Sequence, residues 1–253
     1  MRIRVFSTAI VVACALAVAP VLTVTNGRPD GNGHPYVGIM LQAAPGGGFF
    51  VCSGSALSPT KFLTAAHCAD PTLPVLVSYN SHSPFLVAVG TFHPDPDWCI
   101  GCGSGLQGFD SHDVAVVVLN TALNPGQFAT LPAPNLVDAL PTKSDVDVVG
   151  YGVQGFIHGG GRPEEIFLAT RYFAPSQLIQ SNNLASAEFL KLTANLAQGK
   201  GGICFGDSGG PNVLAGTHIV LGVNSFVTNG NCAGVTYSQR VDLADILAFI
   251  NSF

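Results

Sequence analysis

Glycine and proline interrupt this chain so often that long helices have little room to form. Thirty glycines and seventeen prolines are spread through 253 residues, and the runs between them are short, apolar and often β-branched. Clusters of such residues mark turns, and short alternating or β-branched runs between turns mark strands. Strands are expected at Tyr36–Gln42, Phe49–Leu57, Lys61–Ala66, Val75–Tyr79, Phe85–Phe92, Val114–Leu119, Val146–Tyr151, Glu165–Tyr172, Glu188–Thr193, His218–Val223 and Gly234–Val241. Val114–Leu119 is nearly continuous in apolar residues, as a buried strand should be. Asp242 is placed to cap a short helix over 242–251, with Val241, Ile246, Leu247 and Ile250 on one face. The expected class is all-β, with a C-terminal helix, and the strand pattern fits two packed antiparallel barrels. The Pro-, Ala- and Asp-rich stretch 124–145 separates a first barrel, about 34–123, from a second, about 146–241.

A chain of 253 residues suits one large domain or two small ones. Hydrophobic residues make up 47% of it, which excludes intrinsic disorder despite only 10% charged residues. The formal net charge is −5, two of the ten basic residues (Arg2 and Arg4) fall in the leader, and no basic run exists. Nucleic acid is therefore not an expected partner. Met1–Arg4 is a short basic segment and Val5–Ala19 is apolar and rich in small residues. Residues 1–23 are expected to be a secretory signal with at most a few pro-residues, leaving 24–253 as a secreted domain with no stable membrane association. Two other readings exist. The apolar run reaches Val24 and would nearly span a bilayer as an anchor, and Val11-Val12-Ala13-Cys14 resembles a lipobox, although apolar residues continue past Cys14.

One stretch, Gly201-Gly-Ile-Cys-Phe-Gly-Asp-Ser-Gly-Gly-Pro211, concentrates chemistry. Glycines let backbone approach a ligand closely. A serine nucleophile needs this: its Oγ must stand clear, and nearby N–H groups must point at the developing oxyanion. A surface loop of turn formers is the bland alternative. A base and an orienting acid occur elsewhere, in Thr64-Ala-Ala-His-Cys68 and in His112-Asp-Val-Ala-Val-Val-Val-Leu119.

In the order His67, Asp113, Ser208, the three motifs resemble the trypsin/chymotrypsin-like serine peptidases. Further matching pieces are His34-Pro-Tyr-Val37, Cys52-Ser-Gly-Ser-Ala-Leu57, Gly150-Tyr-Gly152 and Ser225-Phe-Val227, so the resemblance runs from about Val24 to the C-terminus. It implies two six-stranded barrels with the site between them. It further implies Ser208 as nucleophile, His67 as general base and acid, and Asp113 as the group that orients the imidazole. The oxyanion hole would be the N–H groups of Gly206 and Ser208. The substrate pocket would be built from Gly202 at its floor, Ile203 narrowing that floor, and Ser225, Phe226 and Val227 on its wall. With Gly where trypsins carry Asp, an uncharged aliphatic or small residue is expected before the scissile bond. Asp207 would pair with a new amine near Val24, although no Arg or Lys precedes that residue.

Six cysteines remain after the leader. The resemblance implies Cys52–Cys68 and Cys204–Cys232 bridges and leaves Cys99 and Cys102 to pair locally, with a redox motif or half of a metal site as the alternatives for Cys-Ile-Gly-Cys. The expected partner is a peptide or protein substrate, the expected state a monomer, and no cofactor or metal is expected. Asp110 lies near Asp113 but is followed by Ser-His rather than by an apolar strand. The Gly206-Asp-Ser-Gly-Gly210 stretch also fits the Gly-x-Ser-x-Gly elbow of α/β-hydrolases, which would make an esterase. That fold needs Asp then His downstream, whereas His218 here precedes Asp242. A peptidase-like binding protein that has lost catalysis is the non-enzyme alternative.

Overall fold

The computed structural model describes residues 24–82, 86–102, 109–157, 164–179 and 187–253. The leader, with Arg2, Arg4 and Cys14, lies outside the described residues, as do His158 and part of the loop before Asp113. Strand β1 is Arg28–Pro29, followed by β2 (Val37–Ala43), β3 (Phe49–Ala56), β4 (Lys61–Thr64), β5 (Val75–Ser78), β6 (Ala88–Pro94) and β7 (Ala115–Leu119). After a short helix α1 (Leu136–Ala139) come β8 (Asp145–Gly150), β9 (Gly155–Ile157), β10 (Glu164–Ile166), β11 (Tyr172–Gln177), β12 (Phe189–Ala194), β13 (Pro211–Leu214), β14 (Val220–Val227) and β15 (Gly234–Arg240). Helix α2 (Ala244–Asn251) ends the chain.

Strands β2-β3-β4-β7-β6-β5 close into a six-stranded antiparallel barrel. The second half is a seven-stranded sheet in the order β1-β11-β8-β13-β14-β15-β12. Among the described residues its ends curl toward each other and meet at one bridge, Leu178 opposite Leu192, where Ile179 N donates to Lys191 O at 2.9 Å. The second half is thus a half-barrel drawn nearly shut, with β1 added outside.

Inward-facing aliphatic and aromatic residues fill the two halves. Val37, Phe62, Phe92 and Val117 are buried in the first, and Val146, Val148, Leu190 and Leu221 in the second. Fully burying one such side chain contributes roughly 1.5–3 kcal/mol. The halves share a polar core as well. The Arg171 side chain, 1% exposed, pairs with Asp30 at 2.7 Å and donates to the carbonyls of Val37, Tyr79 and Gly31 and to Tyr151 Oη. Five partners from four segments engage all three guanidinium nitrogens, which makes the burial of the charge tolerable.

Two expectations need correction. A strand was expected at Glu165–Tyr172, but the chain is strand only to Ile166, then coil, with Ala169 at φ 49°, before β11 begins at Tyr172. Pro175 hid that strand, because proline cannot donate to a ladder. Its carbonyl accepts from Gly201 N, outside the β11–β8 ladder, so its missing N–H faces a side where no strand pairs with it. Asp242 does not cap α2: the N-cap is Leu243, with no side-chain capping bond. The Asp242 carboxylate instead holds Arg240 Nε at 2.9 Å and accepts from Val137 N at 2.8 Å.

Candidate active site

His67 sits in a single 3₁₀ turn, Ala66–Cys68, that follows β4. The Cys52–Cys68 disulfide ties this turn to β3. Asp113 lies two residues before β7, fully buried. The two meet through a pair of bonds. Asp113 Oδ2 is 2.7 Å from His67 Nδ1, and Asp113 Oδ1 accepts from the His67 backbone N–H at 3.0 Å. Ser225, in β14, donates its hydroxyl to Asp113 Oδ2 as well. Gln239 Oε1 receives the Asp113 backbone N–H at 3.4 Å.

This donor set decides the charge state. Burial alone would raise the Asp113 pKa, but the charge of His67 and the donors from His67 and Ser225 outweigh it and hold the carboxyl below its ordinary value. For His67, burial works to lower the pKa. The Asp113 charge and hydrogen bond, with a further contribution from Asp110, overcome that and raise it. An anionic aspartate thus fixes the imidazole with Nδ1 as donor and leaves Nε2 as the free base. Asp110 itself does not touch His67: it accepts from Trp98 Nε1 at 3.3 Å and Gly101 N at 2.9 Å.

The Ser208 loop is held by backbone. Gly209 N donates to Asn224 O, Gly210 N to Asp207 O, and Ser53 N to Ser208 O, all within 2.9 Å. Ser53 Oγ also donates to Gly206 O and accepts from Tyr151 N, both at 2.9 Å. Gly209 has φ +80°, and a Cβ there would lie 2.1 Å from Thr64 Oγ1 and 2.4 Å from Ser53 O, so no other residue fits. Among the described residues, neither the Gly206 N–H nor the Ser208 N–H is engaged in a hydrogen bond. Ser208 and His67 line one cavity of about 260 Å³ with Ile203, Cys204, Phe205, Ser225, Phe226 and Val227. No direct hydrogen bond joins Ser208 Oγ to His67 among the described residues; contacts of this kind commonly tighten only when substrate binds.

Gly202 is not among the residues lining that cavity, contrary to expectation. A Cβ on it would meet Ala194 Cβ and Thr236 Cγ2, each at 2.6 Å, so position 202 is packed behind the floor that Ile203 presents. The Cys204–Cys232 disulfide joins the Ser208 loop to the segment before β15, and a Cys99–Cys102 disulfide closes a small loop. Phe226 is stacked between Phe109, at 3.8 Å, and Tyr237, at 4.9 Å, and Phe109 lines a further hollow beside His67 and Asp113. Sequence reasoning missed Phe109, and it missed Ser53 and Gln239 as supports; only the Cys52–Leu57 match hinted at Ser53.

Asp207 is fully buried beneath this loop. Its carboxylate accepts from Gly152 N at 2.8 Å and Cys204 N at 2.9 Å, and no cation among the described residues reaches it. Burial outweighs these bonds and pushes its pKa up to about 7. Val24 is 1% exposed, and Thr25 pairs with Gly202, so the start of the described chain is docked along the segment leading to Cys204.

A family model, Trypsin, matches residues 26–250. The chain is 23% identical over 203 residues to a collagenase of Hypoderma lineatum, covering 72% of this chain and 67% of that protein. It is 29% identical over 154 residues to neutrophil elastase of Mus musculus, covering 58% of this chain and 52% of that protein. Among solved structures, HL collagenase superposes with a TM-score of 0.67 at 18% identity, covering 90% of this chain and 98% of that one. GrC gives a TM-score of 0.67 at 18% identity, with 89% and 97% covered. The chain therefore belongs to the trypsin family, the trypsin/chymotrypsin-like serine endopeptidases.

Proposed function

We propose that the protein hydrolyses peptide bonds through Ser208, His67 and Asp113, by way of an acyl-enzyme. One observation carries this reading: a buried Asp113 holds the His67 ring at 2.7 Å, and that ring opens onto the cavity that Ser208 lines. Ser208 attacks the scissile carbonyl carbon, and its proton passes to His67 Nε2. The carbonyl oxygen, now negative, is received by the unengaged N–H groups of Gly206 and Ser208. Collapse breaks the C–N bond, with the His67 proton going to the leaving amine. Water then repeats the sequence on the ester and restores Ser208.

The residue before the scissile bond is uncharged and aliphatic or small. The cavity walls supporting this are Ile203, Phe205, Phe226 and Val227, and among the described residues no carboxylate lines it. A lysine or arginine would be buried there without a partner. Competence requires a cation for Asp207, supplied by a new amine near Val24; the docking of Val24 and Thr25 supports that placement. Residues 1–23 direct secretion, and the domain works as a monomer. The test is hydrolysis of a panel of peptide anilides by the secreted protein and by Ser208→Ala and His67→Ala. Both variants lose turnover, and Arg and Lys substrates are the poorest. Undiminished hydrolysis by Ser208→Ala refutes the mechanism, and a best substrate with Arg refutes the pocket reading.

A further inference from the structure

His112 precedes the buried aspartate of the site but turns away from it. Its φ is +52°, and its ring lies between two carboxylates. His112 Nδ1 is 3.7 Å from Asp95 Oδ2, and His112 Nε2 is 3.7 Å from Asp245 Oδ2. Neither separation is a hydrogen bond. His112 Nδ1 is nevertheless buried, and it has no hydrogen-bond partner. A buried ring nitrogen in that state calls for an explanation. The Asp97 carboxylate completes the group, since one ligand atom each from Asp95, Asp97 and His112 lies within 4.8 Å of the others. The Asp95 side chain is 4% exposed, and its Oδ1 accepts from Asp97 N at 2.9 Å, which fixes the turn. No lysine or arginine among the described residues pairs with Asp95, Asp97 or Asp245.

We propose that Asp95, Asp97 and His112 bind a zinc ion, with Asp245 orienting the histidine from the far side of its ring. Zinc bonds of about 2.0–2.2 Å put ligand atoms roughly 3.4 Å apart in a tetrahedron. The Asp95–His112 pair already stands near that separation, and exposed Asp97 swings in to close the third bond. Solvent fills the fourth position. An imidazole among carboxylates selects zinc over calcium, which prefers six to eight oxygens. A metal-ligating histidine ordinarily presents its other nitrogen to a carboxylate, and Asp245 stands there. The ion would join the turn after β6 to the segment before β7, and Asp245 in the first turn of α2 would reach it only through His112. No sequence motif announces it, because the ligands come from separate segments. The proposal does not depend on the peptidase reading.

The test is calorimetric titration of the secreted protein, stripped with a chelator, with zinc chloride and separately with calcium chloride. Fluorescence of Trp98, the single tryptophan, gives a second readout, because Trp98 N donates to Asp95 O within the ligand turn. His112→Asn removes the ligand while tolerating the left-handed backbone, and Asp97→Asn changes an exposed side chain that makes no contact in the core. One zinc binds per chain and perturbs Trp98. Asp245→Asn weakens binding about 10–100-fold, as expected of an outer-shell partner, and His112→Asn and Asp97→Asn weaken it further. Zinc binding that survives either ligand substitution, no zinc binding by the parent, or binding of calcium in preference to zinc overturns the assignment.

Discussion

Replacing Asp207 by asparagine should make stability less sensitive to pH, with a size set by the burial of one carboxyl. In a chain that still carries Thr23 ahead of Val24, the Asp207 carboxylate has, among the described residues, only the N–H groups of Gly152 and Cys204 for partners, and burial holds its pKa at about 7 against an ordinary 3.8. The native state then keeps this proton to higher pH than the unfolded chain. Stability contributed by the protonated form is therefore present below the unfolded value and is lost as pH rises toward about 7. The full difference is about 4 kcal/mol, and the part falling between pH 5 and pH 8 is about 3 kcal/mol. Asparagine does not titrate. Its NH₂ cannot accept, so one backbone N–H loses its acceptor at a cost of about 1–3 kcal/mol that does not vary with pH. Urea unfolding of both proteins, in a Ser208→Ala background to prevent self-cleavage, measures the difference. The asparagine variant should gain about 3 kcal/mol relative to its parent from pH 5 to pH 8. A difference that does not change with pH would refute the reasoning and imply that Asp207 already has a cation. On the proposal that a new amine near Val24 is that cation, the same substitution in the processed form should abolish activity at either pH.

Four further outcomes follow from the geometry. Ser225→Ala removes a charge-assisted donor from Asp113 and should lower kcat/KM by roughly 10-fold or more with little change in fold, equivalent to about 1.5–3 kcal/mol. Asp113→Asn should drop kcat about 10⁴-fold by presenting the wrong tautomer. Because Asp113 raises the His67 pKa, kcat/KM of the parent should rise with pH through a midpoint above 6.5, read from a pH–rate profile. Asp30→Asn leaves the Arg171 charge buried without its ion partner and should destabilise the fold by about 3–5 kcal/mol in urea unfolding.

The parts legible in the sequence are those whose constraint is local. The Gly206–Pro211 loop must pass backbone between Ser53 and Thr64, and only glycine at 209 allows it, so the requirement is written into the motif itself. Val114–Leu119 shows as a strand because β7 has a neighbour on each side in a closed barrel. What was hidden depends on partners far away in the chain. Ser225 lies 112 residues from the aspartate it supports, and Arg171 lies 141 residues from Asp30. No window of sequence contains both ends of such a contact. That Gly202 is absent from the cavity lining was hidden for a related reason: which way a glycine faces depends on what packs behind it, here Ala194 and Thr236. β11 was masked by Pro175, whose cost vanishes only because no strand pairs with that side of it. Asp242 has the residue type of a cap, but a buried Arg240 claims its carboxylate.

The most direct test of the central claim is covalent. The secreted protein, incubated with a fluorophosphonate, should gain the mass of one phosphonyl group, and peptide mapping should place it on Ser208. His67→Ala should slow labelling sharply, because the hydroxyl loses its base. Labelling at another residue, or labelling of Ser208→Ala at the parent's rate, would contradict the assignment of Ser208 as the nucleophile.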